Sequence, residues 1–188
     1  MQELSLNVLD VAQNSVRAGA SLITISVAEE PDKDLLTIVI GDDGCGMSPS
    51  QVRQVQDPFF TTRTTRRVGL GVPLFKMAAE MSGGGLSIQS REGEGTVVTA
   101  TFGLSHIDRM PLGDINGTVA ALIQCNPAID FVYTRAVGSR AMTLDTREFR
   151  QILGDVPLDA PEVSAFIREY LEENTAELTA AEKSTNND

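Results

Sequence analysis

Cysteine, histidine and positive charge are all scarce in this 188-residue chain, and each scarcity excludes a class of protein. The only thiols are Cys45 and Cys125, so there is no disulfide framework, and both are expected to be reduced. Nothing in Met1 to Ser5 resembles a basic segment leading into an apolar signal core, which makes a cytoplasmic location the expectation. No apolar run approaches the roughly 20 residues that a bilayer span needs. With 15 Lys and Arg against 26 Asp and Glu, the formal net charge is -11, which repels phosphate backbones and anionic headgroups alike. Neither nucleic acid nor membrane is expected as a partner. The length suffices to bury a core without covalent staples.

Against these absences stand five short segments in the first hundred residues: Asp10-Val11-Ala12-Gln13-Asn14, Asp42-Asp43-Gly44-Cys45-Gly46, Pro58-Phe59-Phe60-Thr61-Thr62, Gly69-Leu70-Gly71 and Gly93-Glu94-Gly95-Thr96. Around them the chain reads as alternating elements. Leu6, Leu9, Ala12 and Val16 recur at helical spacing, with Asn7, Asp10, Asn14 and Arg17 on an adjacent polar face. Gly19 ends that helix. Ile23, Ile25 and Val27 then alternate with Thr24 and Ser26 as a half-buried strand does. Residues 35–40 form a second strand, and Ser48-Pro49 opens a short helix as N-cap and first residue. Residues 57–68 read as a loop, since 61–67 holds three arginines and four threonines without apolar periodicity. Leu70, Leu74, Ala78 and Met81 predict a helix closed by Gly83-Gly84-Gly85, and residues 86–91 and 96–102 predict a hairpin. This order predicts an α+β fold: a mixed sheet with helices on one face, forming two layers.

Beyond residue 103, residues 114–125 predict a helix. Residues 129–136 and 140–144 predict a hairpin, and Asp145 with Glu148 has the form of a capping box. Pro161 begins a last helix, with a polar tail from about Asn174. The expected division is 1–103, a small α+β extension over 104–175, and a disordered tail over 176–188. The extension has no glycine-rich phosphate loop and no metal-ligand cluster, and reads as a packing or partner-docking module.

In their order, spacing and context, the five segments resemble the GHKL superfamily of ATP-binding domains, shared by sensor histidine kinases, a heat-shock chaperone, type II topoisomerases and MutL. Residues 58–90 look closest to histidine kinases, and residues 13–20 to MutL. The resemblance implies the Bergerat-type two-layer fold, with ATP and magnesium as ligands. It places Asn14 as the magnesium ligand, an amide oxygen being a sufficient anchor for an ion that keeps waters beside phosphates. Asp42 becomes the reader of the adenine amine, with Gly44, Gly46 and Met47 beside it and Thr96 holding the base edge. Arg17, Thr62, Gly69, Leu70 and Gly71 complete the nucleotide set, the last three at a helix start suited to phosphate. Arg63, Arg66 and Arg67 are expected to close over the triphosphate or to recruit an acidic partner.

Asp10 occupies the place where hydrolytic members carry a glutamate as general base. Aspartate reaches about 1 to 1.5 Å less, enough to lose in-line geometry. Three outcomes of ATP binding stay open: transfer of the γ-phosphate to a separate protein, an ATP-gated interaction switch, and slow hydrolysis. His106 follows the last strand of the first part and reads as a loop or packing residue, so any phosphoacceptor is expected on another chain. The chain also resembles small stand-alone GHKL proteins of anaerobic bacteria, often encoded beside iron-only hydrogenase genes, which implies association with a hydrogenase or redox system as a further expectation.

Overall fold

The computed structural model describes residues 2–59 and 70–185. The elements in chain order are α1 (Leu4–Arg17), β1 (Leu22–Glu30), a 3-10 turn (Pro31–Lys33), β2 (Leu35–Asp42), α2 (Pro49–Val55), α3 (Gly71–Met81), β3 (Gly85–Arg91), β4 (Gly95–Gly103), α4 (Ile115–Cys125), β5 (Asp130–Val137), β6 (Arg140–Asp145), α5 (Thr146–Leu153) and α6 (Pro161–Thr185). The six strands form one sheet in the order β3-β4-β2-β1-β5-β6. All neighbours are antiparallel except β1 and β5.

Alternation along the strands decides which face is covered. Ile23, Ile25 and Val27, Leu36, Ile38 and Ile40, Val98, Ala100 and Phe102, and Phe131 and Tyr133 are buried on one face. Residues between them, such as Ser26, Thr37 and Thr134, keep partial exposure on the other. Helices α3, α1, α4 and α6 pack side by side in that order, giving the two layers expected. No helix among the described residues is long and apolar enough to cross a membrane.

Two helices are rotated from their expected phase. On α1 the buried stripe is Leu4, Val8, Val11, Ala12 and Ser15, while Leu6 is half exposed. The small polar Ser15 completes the 4-8-11-15 stripe, which an apolar-only count passes over. On α3, Val72, Phe75, Ala78 and Ala79 are buried, whereas Leu70 and Met81 are exposed. With apolar residues nearly all round, spacing alone leaves the phase of this helix undetermined.

The extension is built onto the same sheet. β5 pairs with β1 from Leu22↔Asp130 to Glu29↔Val137, covering what would otherwise be an open edge. The linker before α4 also closes the start of α1: Leu4 and Ser5 donate their backbone N–H to Pro111 and Leu112 carbonyls at 2.9 Å each, satisfying donors that a helix N-terminus leaves free. Where the sequence predicts a disordered tail from residue 176, α6 continues to Thr185. Leu178 is buried there, extending the stripe Val163, Ile167 and Leu171 by a further two turns.

One ion pair is sunk into the junction. Arg135 on β5 donates from Nη2 to Glu29 Oε1 on β1 at 2.6 Å, with only 7% of its side chain exposed. Its Nε and Nη1 are buried without a hydrogen-bond partner among the described residues, as is the Tyr133 hydroxyl. Burial pushes the Tyr133 phenol up to about 12, against a small opposing pull from Arg135. A half-satisfied buried guanidinium contributes little net stability but is costly to orphan. Glu29→Ala is therefore expected to destabilise the fold by about 3–5 kcal/mol, while replacing the pair together, Glu29→Leu with Arg135→Met, is neutral or stabilising. Urea denaturation of both variants checks the asymmetry.

Candidate functional site

The cleft lies where β2 and β3 end and β4 begins, against α1. Val11, Val55, Val72, Ile88 and Val98 form its apolar walls, and Asn14, Arg17, Asp42, Cys45, Met47 and Thr96 bring polar or sulfur atoms to it, around a volume of about 280 Å³. An apolar slot with a few converging polar groups suits a flat heterocycle.

Asp42 is the last residue of β2 and stands in register with Ile23 on β1 and Thr96 on β4. Its carboxylate is held from two sides. Ser15 Oγ donates to Oδ2 at 2.5 Å, and the Gly44 backbone N–H donates to Oδ1 at 2.9 Å. Each carboxylate oxygen has further acceptor capacity, so the group is oriented and still able to accept.

The neighbouring Asp43 is already committed. It accepts from Ser21 Oγ at 2.5 Å, Ser21 N at 2.7 Å and Leu22 N at 2.9 Å. Chiefly the Ser21 hydroxyl, and then the Leu22 amide, hold its carboxyl below the usual range. In the Asp-Asp pair, only the first carboxylate faces the cleft.

The loop after β2 is stitched on both sides. Cys45 N–H donates to the Ala18 carbonyl at 3.0 Å, and Gly93 N–H donates to the Cys45 carbonyl at 2.7 Å. Gly46 has φ +68°, and a Cβ there would lie 2.0 Å from the Arg91 carbonyl oxygen, so both conformation and space exclude a side chain. Met47 N–H donates to Ser90 Oγ at 2.8 Å. Ser90 in turn donates to the Gly95 carbonyl at 3.0 Å and lies 2.8 Å from Thr96 Oγ1. A hydroxyl has one proton, so Thr96 is the donor in that last pair.

Asn14 and Arg17 meet one another. Arg17 Nη1 donates to Asn14 Oδ1 at 3.0 Å, the i,i+3 geometry of a helix face. Asp10 is exposed one turn earlier. It abuts the start of α3, where a Cβ on Gly71 would lie 2.9 Å from Asp10 Cβ. Leu70 at the N-cap gives α3 no side-chain cap, leaving its first backbone donors available to an anion.

Of the expected site residues, Asn14, Arg17, Asp42, Gly46, Met47 and Thr96 converge on the cleft. Gly44 braces Asp42, and Asp10, Leu70 and Gly71 meet at the α3 start. Thr62 and Gly69, with Arg63, Arg66 and Arg67, lie outside the described residues. Among the described residues no group of three or more His, Cys, Asp or Glu is gathered for a metal. His106 sits near Gly83, past the C-terminal end of α3, and its Nδ1 accepts from Asp108 N–H at 3.1 Å. The 11 residues of α3, about 16 Å of helix, separate it from Asp10.

Sequence reasoning passed over Ser15, Ser90 and the valine walls. Ser90 was within reach, because the hairpin register sets it directly opposite Thr96.

A mixed six-stranded sheet with helices on one face has the two-layer architecture of the GHKL, or Bergerat, fold. Residues 1–106 match the model of the histidine kinase-, DNA gyrase B-, and HSP90-like ATPase family, and the chain belongs to that family. It is 33% identical over 106 residues to an uncharacterized sensor-like histidine kinase of Rhizobium meliloti, covering 54% of this chain and 20% of that protein. It is 35% identical over 92 residues to the sensor histidine kinase ZraS of Salmonella typhimurium, covering 48% and 20%. The chain thus spans about a fifth of the length of these curated relatives. Among solved structures, the N-terminal domain of a DNA repair protein superposes with a TM-score of 0.53 at 15% identity, covering 77% of this chain and 52% of that one, a likeness of fold alone.

Removing the Ser15 hydroxyl leaves Asp42 oriented from one side only. Ser15→Ala is expected to weaken adenine-nucleotide affinity about tenfold, equivalent to about 1.4 kcal/mol. Titration calorimetry against the unaltered chain measures the loss.

Proposed function

We propose that this chain binds Mg-ATP and passes the γ-phosphate to a separate partner protein. The observation that carries the reading is the Asp42 carboxylate, fixed by Ser15 and Gly44 at the mouth of an apolar cleft. In this reading it accepts from the exocyclic amine of adenine, Thr96 and Met47 border the base, and the valine walls exclude water from its faces.

Magnesium fits the donor set. Asn14 Oδ1 already faces a cation, the Arg17 guanidinium, and an ion that prefers phosphate and water oxygens needs few protein ligands. Magnesium would neutralise charge on the transferring phosphoryl group. Asn14 would hold the metal. Arg17 would exchange its bond to Asn14 for a phosphate oxygen, and the free donors of Gly71 and Val72 would receive another. Asp10, exposed at the same helix start, would act as the general base toward the acceptor hydroxyl of the partner. The acceptor resides on another protein, for which a redox enzyme is the candidate that the resemblance supplies.

A second reading, an ATP-gated interaction switch with little turnover, draws on two observations. Asp10 has one methylene fewer than the glutamate of hydrolytic relatives, and Arg17 is bonded to the Asn14 oxygen, a contact that in this reading would exchange on ligand binding and supply a two-state element.

Incubating γ-labelled ATP with the chain and a lysate of its source organism separates the two, with Asp42→Asn as control. A labelled protein that depends on Asp42 is the expected result; no label with retained ATP binding favours the switch. Asp42→Asn should abolish adenine-nucleotide binding by calorimetry, and unchanged affinity would remove the site assignment. Steady phosphate release that disappears in Asp10→Asn would instead mark a slow hydrolase.

A further inference from the structure

Between α5 and α6, outside the family-matched residues, an apolar groove of about 480 Å³ opens to solvent. Phe149, Ile152 and Leu153 line it from α5, Val156 from the following loop and Phe166 from α6. The exposure is unusual for such side chains: Ile152 is 81% exposed, Phe166 53% and Val156 48%. The floor is ordered by aromatic packing, with Phe149 edge-on to Phe166 and to Tyr170 at 5.9 Å in each case. A preformed apolar trough of this kind marks a binding surface.

The charges around it have one sign. Glu162 lines the groove. On α6, Glu169 and Glu173 follow Glu162 at intervals of seven and four and flank Phe166, and on α5 Glu148 stands one turn before Ile152. Asp155 adjoins Val156, and all of these carboxylates are exposed. The nearby cations are held elsewhere. Arg147 is paired with Asp145 at 2.8 Å. Arg150 is paired with Asp130 at 2.7 Å and also donates to the Pro127 carbonyl. Arg168 lies two positions from Phe166, which turns it to another side of α6.

We propose that this groove docks an amphipathic helix of a partner protein, one whose apolar stripe is flanked by lysine or arginine. A trough lined by two helices and the loop between them, and by no strand residue, suits a helix-in-groove mode, with anchors at i, i+3 or i+4, and i+7. A second copy of this chain would set the same carboxylates against each other across a self-complementary interface. An anionic membrane is repelled in the same way.

The test uses the full chain without nucleotide, so its outcome does not depend on phosphotransfer. The probe is a fluorescein-labelled synthetic helix of about 14 residues with leucines on one stripe and lysines elsewhere. Its counterpart replaces lysine by glutamate, and binding is read by anisotropy. The expected result is salt-sensitive binding of the lysine peptide, with the glutamate peptide at least about tenfold weaker. Ile152→Gln and Val156→Gln, both charge-neutral and at exposed positions, should each weaken binding about tenfold with unchanged thermal melting. Absence of binding overturns the proposal, as does equal binding of both peptides. Full affinity in both variants also overturns it, because the attraction is then general to an acidic chain. Self-association, or binding to phosphatidylcholine vesicles, that is lost in Ile152→Gln would reassign the groove to a second copy or to lipid.

Discussion

The structure depends on how the loop after β2 is tied down. Residues 42–46 are stitched to α1 through the Cys45–Ala18 bond, to β1 through Asp43, and to the β3–β4 turn through Gly93. These contacts come from three segments that are distant in sequence. Without them Asp42 would still end a strand and accept from Ser15, but the Gly44 amide that braces its other oxygen would have no fixed position. The apolar walls supply the volume of the cleft, and the stitched loop supplies its orientation. That division is the usual one between nonspecific burial and specific polar placement.

Two neighbouring acids show how placement separates roles that composition cannot. Asp42 and Asp43 are adjacent and chemically alike. One spends its acceptor capacity on Ser21 and Leu22, joining the loop to the start of β1, while the other retains capacity toward the cleft. The difference follows from where β2 stops: Asp42 is its last residue, on the face of Ile38 and Ile40, whereas Asp43 begins the loop beside Ser21 and Leu22. Arg17 and Asn14 illustrate the complementary case. A helix face brings them together, and the guanidinium occupies the Asn14 amide oxygen.

Much of this was legible in the residues. β-branched alternation located β1 and β2, the Ser48-Pro49 pair located α2, and the glycine segments located the turns, because each depends on local sterics and short-range hydrogen bonds. The class of fold followed from the order of those elements. What could not be read locally was the phase of α1 and α3. Ser15 belongs to the buried stripe only because Asp42, far along the chain, gives its hydroxyl a partner. Leu6 is half exposed because Leu4 and Val8 already fill the inner face. The polar end of α6 misled for a similar reason: Asn174 and Thr175 hydrogen-bond to Tyr170 and Asn116, so residues typical of a tail are used within a packed helix. The continuity of the sheet into β5 was equally invisible, since no local pattern names the strand that a hairpin will join.

The pairing of β5 with β1 sets the order in which the chain can fold. Leu22 faces Asp130, and Glu29 reaches Arg135 across 106 positions of sequence. During synthesis β1 can pair with β2 almost at once, but its other edge has no partner until β5 has emerged. For that interval the nascent chain presents an unprotected strand edge, the kind of surface that templates misassembly. Closure of this edge across so long a loop is entropically slow. The C-terminal hairpin therefore governs how long the nucleotide-binding half remains vulnerable on its way to the native state.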